Sequence, residues 1–258
     1  MRWIAFTLLT VMLACRAMPA AAERLVVSLS NPKVAITSNF VGDELVLFGT
    51  VEPDAGKSGP LPSYDLVVTV AGPRQTLRTR RKQRVLGIWV NVDSREFVRV
   101  PSYLAILSNR PVAQIAGVDV LRRLQIGLDN FLLTQRIGPD IADTVRDDPF
   151  RRAFVQLQSQ HGFYRQTGSA VTFLTPTVFR TAISLPADVP VGNYSIDVKL
   201  FGGGAIVARS TAALEVSKTG FEQYVAEAAR DKGLLYGIAT MLMALFTGWV
   251  ASVVFKRD

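Results

Sequence analysis

Residues 233–255, GLLYGIATMLMALFTGWVASVVF, form an apolar run without a charged side chain, closed by Lys256, Arg257 and Asp258. At about 1.5 Å of rise per residue, such a run makes a helix long enough to cross the ~30 Å hydrocarbon core of a bilayer. A helix satisfies its own backbone N–H and C=O groups, which is what the lipid interior demands. The expected layout is therefore a helical stem over 220–232, a transmembrane helix over 233–255 and a cytoplasmic tail of 256–258. Tyr236 and Trp249 fall near the two interfaces, where amphipathic rings settle. Ala244, Gly248 and Ser252 recur every four residues and clear one helix face for close packing against another integral membrane protein or a second copy.

The other end of the chain is also directed at a membrane. Arg2 precedes an apolar run from Trp3 to Ala14, and Ala20-Ala21-Ala22 places small residues before Glu23. This is the pattern of a secretory signal peptide over 1–22. Met12-Leu13-Ala14-Cys15 offers an alternative, a degraded lipoprotein box with Cys15 lipidated, but a single acyl chain would add little beside a spanning helix. Cys15 is the only cysteine, so signal cleavage leaves nothing for a disulfide, a thiolate nucleophile or a cysteine metal site.

Export restricts the partners that charge can attract. Residues 23–232 carry a net charge of about +5, since the two ends hold four of the 29 basic residues and one of the 21 acidic ones. An exported basic body does not meet nucleic acid; lipid headgroups, an acidic protein face or a small anion remain.

Between the ends the texture is mainly that of β-strands. Leu25–Ser30, Val34–Thr37, Glu44–Val51 and Asp65–Ala71 are rich in valine and leucine, and EPDAGKSGPLPS at 52–63 reads as a loop. RQTLRTRRKQR follows at 74–84. If extended, it projects Arg74, Arg78, Arg80, Lys82 and Arg84 from one face. Two readings stand: an edge strand protected from pairing by its charges, or an electrostatic dock for acidic lipid or protein. Val85–Val92 reads as the next strand, with Trp89 in the core.

At Pro101 the pattern turns helical. A short helix is expected over Tyr103–Leu107. A longer one follows along Val118, Leu121, Leu124, Leu128, Phe131 and Leu132. Asp148 is expected to cap a third helix with Pro149 at its first position, burying Phe150, Phe154 and Leu157. Residues 101–162 thus read as a helical insertion in a β body spanning 23–219. β texture returns at Ser169–Leu174, Val178–Leu185, Ser195–Phe201 and Ala205–Val216. A P-x-G-x-Y loop entering an alternating strand resembles the closing half of immunoglobulin-like sandwiches, with Tyr194 as the corner tyrosine. The expected fold is α+β, mainly β: an immunoglobulin-like β-sandwich body plus a C-terminal transmembrane helix.

No reactive constellation stands out. His161 is the only histidine and sits at an expected helix end, where it meets the last carbonyls. Asp147-Asp148 is explained by capping. Neither a nucleophile elbow, a zinc-protease motif, a phosphate loop nor a dinucleotide fingerprint occurs. No cofactor, metal or catalytic residue is expected.

The stretches ITSNFVGDELVLFGTVEP (36–53), YDLVVTVAGP with RTRRKQRVLGIWVN (64–91) and VPSYLAILSNRP (100–111), together with the final anchor, resemble a transmembrane protein family of alphaproteobacteria. The resemblance covers essentially the whole chain. It implies a Gram-negative inner-membrane protein with a periplasmic body, in the company of sulfite-exporter-like permeases, and it carries over no catalytic residues. The expectation is a non-enzymatic accessory module for a membrane partner. The alternative is a binder of a small anion or anionic lipid through 74–84.

Overall fold

In the segment Tyr64–Ala71, the neighbours Leu66, Val67 and Val68 point alternately to opposite faces, and all three are fully buried. A strand apolar on both faces needs cover on both, and the rest of the body supplies it. The computed structural model describes residues 23–53, 63–137, 139–218 and 229–254. In chain order the elements are β1 (Arg24–Leu29), β2 (Lys33–Ile36), β3 (Asp43–Glu52), β4 (Tyr64–Ala71), β5 (Arg74–Val85), β6 (Ile88–Pro101) and β7 (Leu104–Ser108). Next come α1 (Val112–Ile115), α2 (Val118–Arg123), β8 (Thr134–Ile137), β9 (Asp140–Asp143) and α3 (Pro149–Gln160). The chain continues with β10 (Tyr164–Thr167), β11 (Val171–Phe173), β12 (Val178–Leu185), β13 (Gly192–Gly202), β14 (Ala205–Lys218) and α4 (Gly233–Val254).

A six-stranded sheet in the order β10-β7-β4-β13-β14-β2 faces a four-stranded antiparallel sheet, β1-β3-β12-β11. Between them lies the first core. Leu45, Leu47, Phe179 and Ile183 from the smaller sheet meet Leu66, Val68, Ile196, Val198 and Leu200 from the larger. On the outer face of the larger sheet, Val67, Leu104, Ile106 and Phe201 meet Phe97 and Val100 of β6, Val112 and Ile115 of α1, and Phe150 and Phe154 of α3. The rings of Phe97 and Phe154 stand 4.7 Å apart, and that of Tyr164 closes edge-on against Phe154 at 5.8 Å. A third sheet, β5-β6-β8-β9, leaves β5 at its edge.

Several expectations require correction. Residues 103–107 are not helical: Leu104–Ser108 is β7, paired with β4 and β10 and buried throughout, because a short apolar run buried on both faces has no helical or strand period of its own. The stripe from Val118 to Leu132 is helical only as far as Arg123. Gln125 (φ 53) and Gly127 (φ 104) then turn the chain left-handed, and β8 and β9 follow. α3 starts as expected, with Asp148 accepting from the N–H of Phe150 (2.7 Å) and of Arg151 (3.2 Å), but Leu157 is exposed. Trp89 is not in the core either, and the strand expected over Val85–Val92 is broken by a hairpin turn at Leu86-Gly87.

α4 holds a 20-residue stretch, Gly233–Ser252, with a mean hydropathy of 1.8, long and apolar enough to cross a membrane and not buried by the other described residues. The Thr240 hydroxyl donates back to the carbonyl of Tyr236 at 3.1 Å, so this polar group is satisfied inside the helix. The signal peptide with Cys15, residues 219–228 of the stem region, and Lys256 to Asp258 lie outside the described residues.

Candidate functional site

Only the middle of the chain at 74–85 alternates between covered and exposed residues, and its ladder with β6 shifts register between Gln75 and Leu77 and again between Arg81 and Lys82. Leu77 and Thr79 are withdrawn from solvent, whereas Arg74, Arg78, Arg80, Lys82 and Arg84 are all exposed. Register with the neighbouring strands decides how these charges are balanced. Arg78 lies opposite Glu96, which lies opposite Arg136 in β8, so one carboxylate is shared by two guanidinium groups at 3.7 and 3.9 Å. Nearer the hairpin end, Arg80 faces Ser94, Lys82 faces Asn91 and Arg84 faces Trp89. No carboxylate stands opposite these three. Arg74 donates to the carbonyl of Arg99 and Arg84 to that of Gly87, each at 3.1 Å, which fastens the two ends of the row. A cleft of about 270 Å³ runs between β5 and the start of α3, lined by Thr79, Arg80, Arg81, Lys82, Pro149, Phe150 and Ala153.

The five basic residues singled out from sequence are all exposed, and β5 is also the edge strand that the plainer reading required. Sequence reasoning missed the hairpin tip. Leu86 (φ 49) and Gly87 (φ 86) are both left-handed, the conformation of a two-residue type I′ turn. Its signal was the glycine in the second turn position, between the basic run ending at Val85 and the apolar run opening at Ile88.

The second group lies on α4. Ala244, Gly248 and Ser252 are exposed, and, the helix's own backbone aside, a Cβ placed on Gly248 would meet no atom of the described residues within 4 Å. His161 is the C-cap of α3; its N–H donates to the carbonyl of Leu157 at 3.0 Å, and its ring stands 6.2 Å from that of Phe163. Among the described residues, no three His, Cys, Asp or Glu side chains cluster so as to hold a metal ion.

A family model described as "putative transmembrane protein" (Alph_Pro_TM) matches residues 24–257. No curated protein matches the sequence. Among solved structures, the sporulation control protein Spo0M of Bacillus subtilis aligns at 11% identity and a TM-score of 0.28, over 81% of this chain and 55% of that one. This chain therefore spans about half of that protein's length. The N-terminal domain of the Streptococcus gordonii adhesin Sgo0707 aligns at 9% identity and a TM-score of 0.28, over 75% of this chain and 32% of that one. The bacterial hydrophobin BslA aligns at 12% identity and a TM-score of 0.24, over 79% of this chain and 99% of that one.

Proposed function

The chain belongs to this putative transmembrane protein family, with one helix suited to span a membrane, and on that premise we propose that it is a non-enzymatic accessory protein of the bacterial inner membrane. Its β body acts in the periplasm as an interaction module, and its C-terminus lies in the cytoplasm. The body is read as an immunoglobulin-like sandwich with Tyr194 as its corner residue. The observation carrying the proposal is the row Ala244, Gly248 and Ser252, which no other element among the described residues covers. Small side chains at this spacing let a second helix approach closely, as helix pairs in lipid require. The partner is another integral membrane protein, such as a transporter of the sulfite-exporter type, or a second copy of the chain. In-cell crosslinking followed by co-purification in mild detergent tests this. A captured membrane protein, or a dimer, lost in Gly248→Leu is expected; recovery unchanged by Gly248→Leu overturns the intramembrane contact.

A second reading is favoured by the uneven charge of β5, where Arg80, Lys82 and Arg84 face no carboxylate. In it the strand binds a small anion or an anionic headgroup. Reversal of Arg78, Arg80 and Lys82 should then weaken binding to anionic vesicles, and binding insensitive to both reversal and salt would refute it.

A further inference from the structure

We propose that the β5–β6 hairpin is an interfacial wedge, inserting Leu86, Ile88 and Trp89 into an anionic phospholipid surface. Every residue from Arg80 to Trp89 is exposed; Leu86 is 100% exposed, Ile88 66% and Trp89 69%. β8 pairs with β6 only at Glu96–Val98 and the start of α3 borders β5 only as far as Lys82, so beyond Lys82 and Asn91 the hairpin is an uncovered two-stranded ribbon roughly 10 Å long. At its end the chain makes a choice that packing does not explain. The β13–β14 hairpin uses the same two-residue turn with Gly203 (φ 58) and Gly204 (φ 84), which adopt it freely. The β5–β6 turn instead holds a leucine at φ 49, a position hostile to a bulky side chain, and presents that side chain wholly to solvent. Edge protection accounts for charges but not for an apolar tip.

Charge selects the occupant. Residues 80–92, RRKQRVLGIWVNV, carry four cations and no Asp or Glu. Arg84 lies directly across the ribbon from Trp89, so a guanidinium and an indole share one face. Long basic side chains flanking a tryptophan and branched apolar residues match the boundary between headgroup and acyl chain: cations meet phosphate while the indole and the apolar tip enter hydrocarbon. The tip is a convex projection. The chain carries its own span, so tethering lets even a weak insertion persist. The proposal rests on the second reading above for the attraction of Arg80, Lys82 and Arg84 to anions, and adds an apolar insertion that reading lacks.

The experiment uses the full chain in nanodiscs. Its three tryptophans are Trp3, Trp89 and Trp249, so Trp3→Phe with Trp249→Phe leaves Trp89 as the sole indole reporter. In discs of acyl-brominated phosphatidylglycerol, Trp89 emission should shift to the blue and be quenched by roughly half or more. Quenching should fall severalfold in brominated phosphatidylcholine, in Leu86→Ser/Ile88→Ser, and after reversal of Arg80, Lys82 and Arg84. Leu86→Gly, which fits the turn, serves as a variant that folds and still loses insertion. Unshifted, unquenched Trp89 in phosphatidylglycerol overturns the wedge. Soluble glycerophosphate separates the two readings. If it binds through Arg80, Lys82 and Arg84 while Trp89 stays unquenched, the wedge falls and anion binding stands. Quenching that survives reversal of all three charges overturns the anionic surface, and the second reading falls if glycerophosphate also fails to bind.

Discussion

The hydroxyl of Tyr194 donates to the carbonyl oxygen of Pro190, four residues back, at 2.6 Å. This bond ties the loop before β13 to the head of that strand, and the ring is buried 5.8 Å from that of Tyr103, whose own hydroxyl donates to the carbonyl of Ser184 at 2.7 Å. Two phenols thus pin the end of β12 and the loop after it. Tyr194→Phe keeps the ring and removes one buried hydrogen bond. The expected loss is about 1 kcal/mol, read from urea unfolding of the detergent-solubilised chain.

Across β3 and β12, Gly49 lies opposite Phe179, and a Cβ at Gly49 would sit 2.2 Å from the Phe179 Cζ atom. Phe179 is fully buried, so its ring cannot yield without disturbing the core. Gly49→Ala should destabilise the body by about 2–3 kcal/mol through overpacking. Gly49→Ala combined with Phe179→Leu should recover part of that loss, so the two effects should not add.

Arg151 holds the irregular segment after α2. Its Nη2 donates to the carbonyls of Leu128 (3.3 Å), Asp129 (3.2 Å) and Phe131 (2.7 Å). Arg151→Met would leave these backbone groups without their donor at an expected cost of about 3 kcal/mol. Hydrogen exchange should rise first over 126–133 and leave β4 protected, because local opening precedes global unfolding.

Asp197 is bound by Arg209 at 2.7 and 2.9 Å and by the buried ammonium of Lys199. Burial acts to raise the Asp197 pKa, but the hydrogen bonds and charges of Arg209 and Lys199 outweigh it and hold the carboxyl below its ordinary value. A depressed folded pKa means stability that is fully present above the unfolded value of about 3.9 and lost as pH falls through the folded one. Stability should therefore decline below about pH 4. Asp197→Asn should be less stable at neutral pH, where Lys199 loses its counter-charge. Its deficit against the parent chain should narrow in acid.

Much of the body was legible because its strands carry the signals that strands need. Val178–Leu185 and the run through Ile196, Val198 and Leu200 read correctly, as did the start of α3, where Asp148 and Pro149 act locally. Leu104–Ser108 was misread because its apolar residues are buried on both sides and leave no period to detect. The stripe to Leu132 failed because Gln125 and Gly127 turn the chain and Arg151, some twenty residues on, satisfies the carbonyls that a helix would have used. The exposure of the basic row was legible from its charge, which keeps β5 at the edge of its sheet. Trp89 was not, since an indole in a valine-rich run looks the same whether the strand is covered or projects.

The sequence by itself determined the apolar span at 233–255, the mainly β character of the body and the exposure of Arg78, Arg80, Lys82 and Arg84. These follow from composition and from periods of two and 3.6, which each segment carries alone. Tertiary structure decided that β4 and β7 are covered on both faces, that Glu96 is shared between Arg78 and Arg136, and that Leu86 and Trp89 remain in solvent. Cover and charge pairing depend on what distant segments bring, and no local pattern encodes the neighbour a side chain will meet.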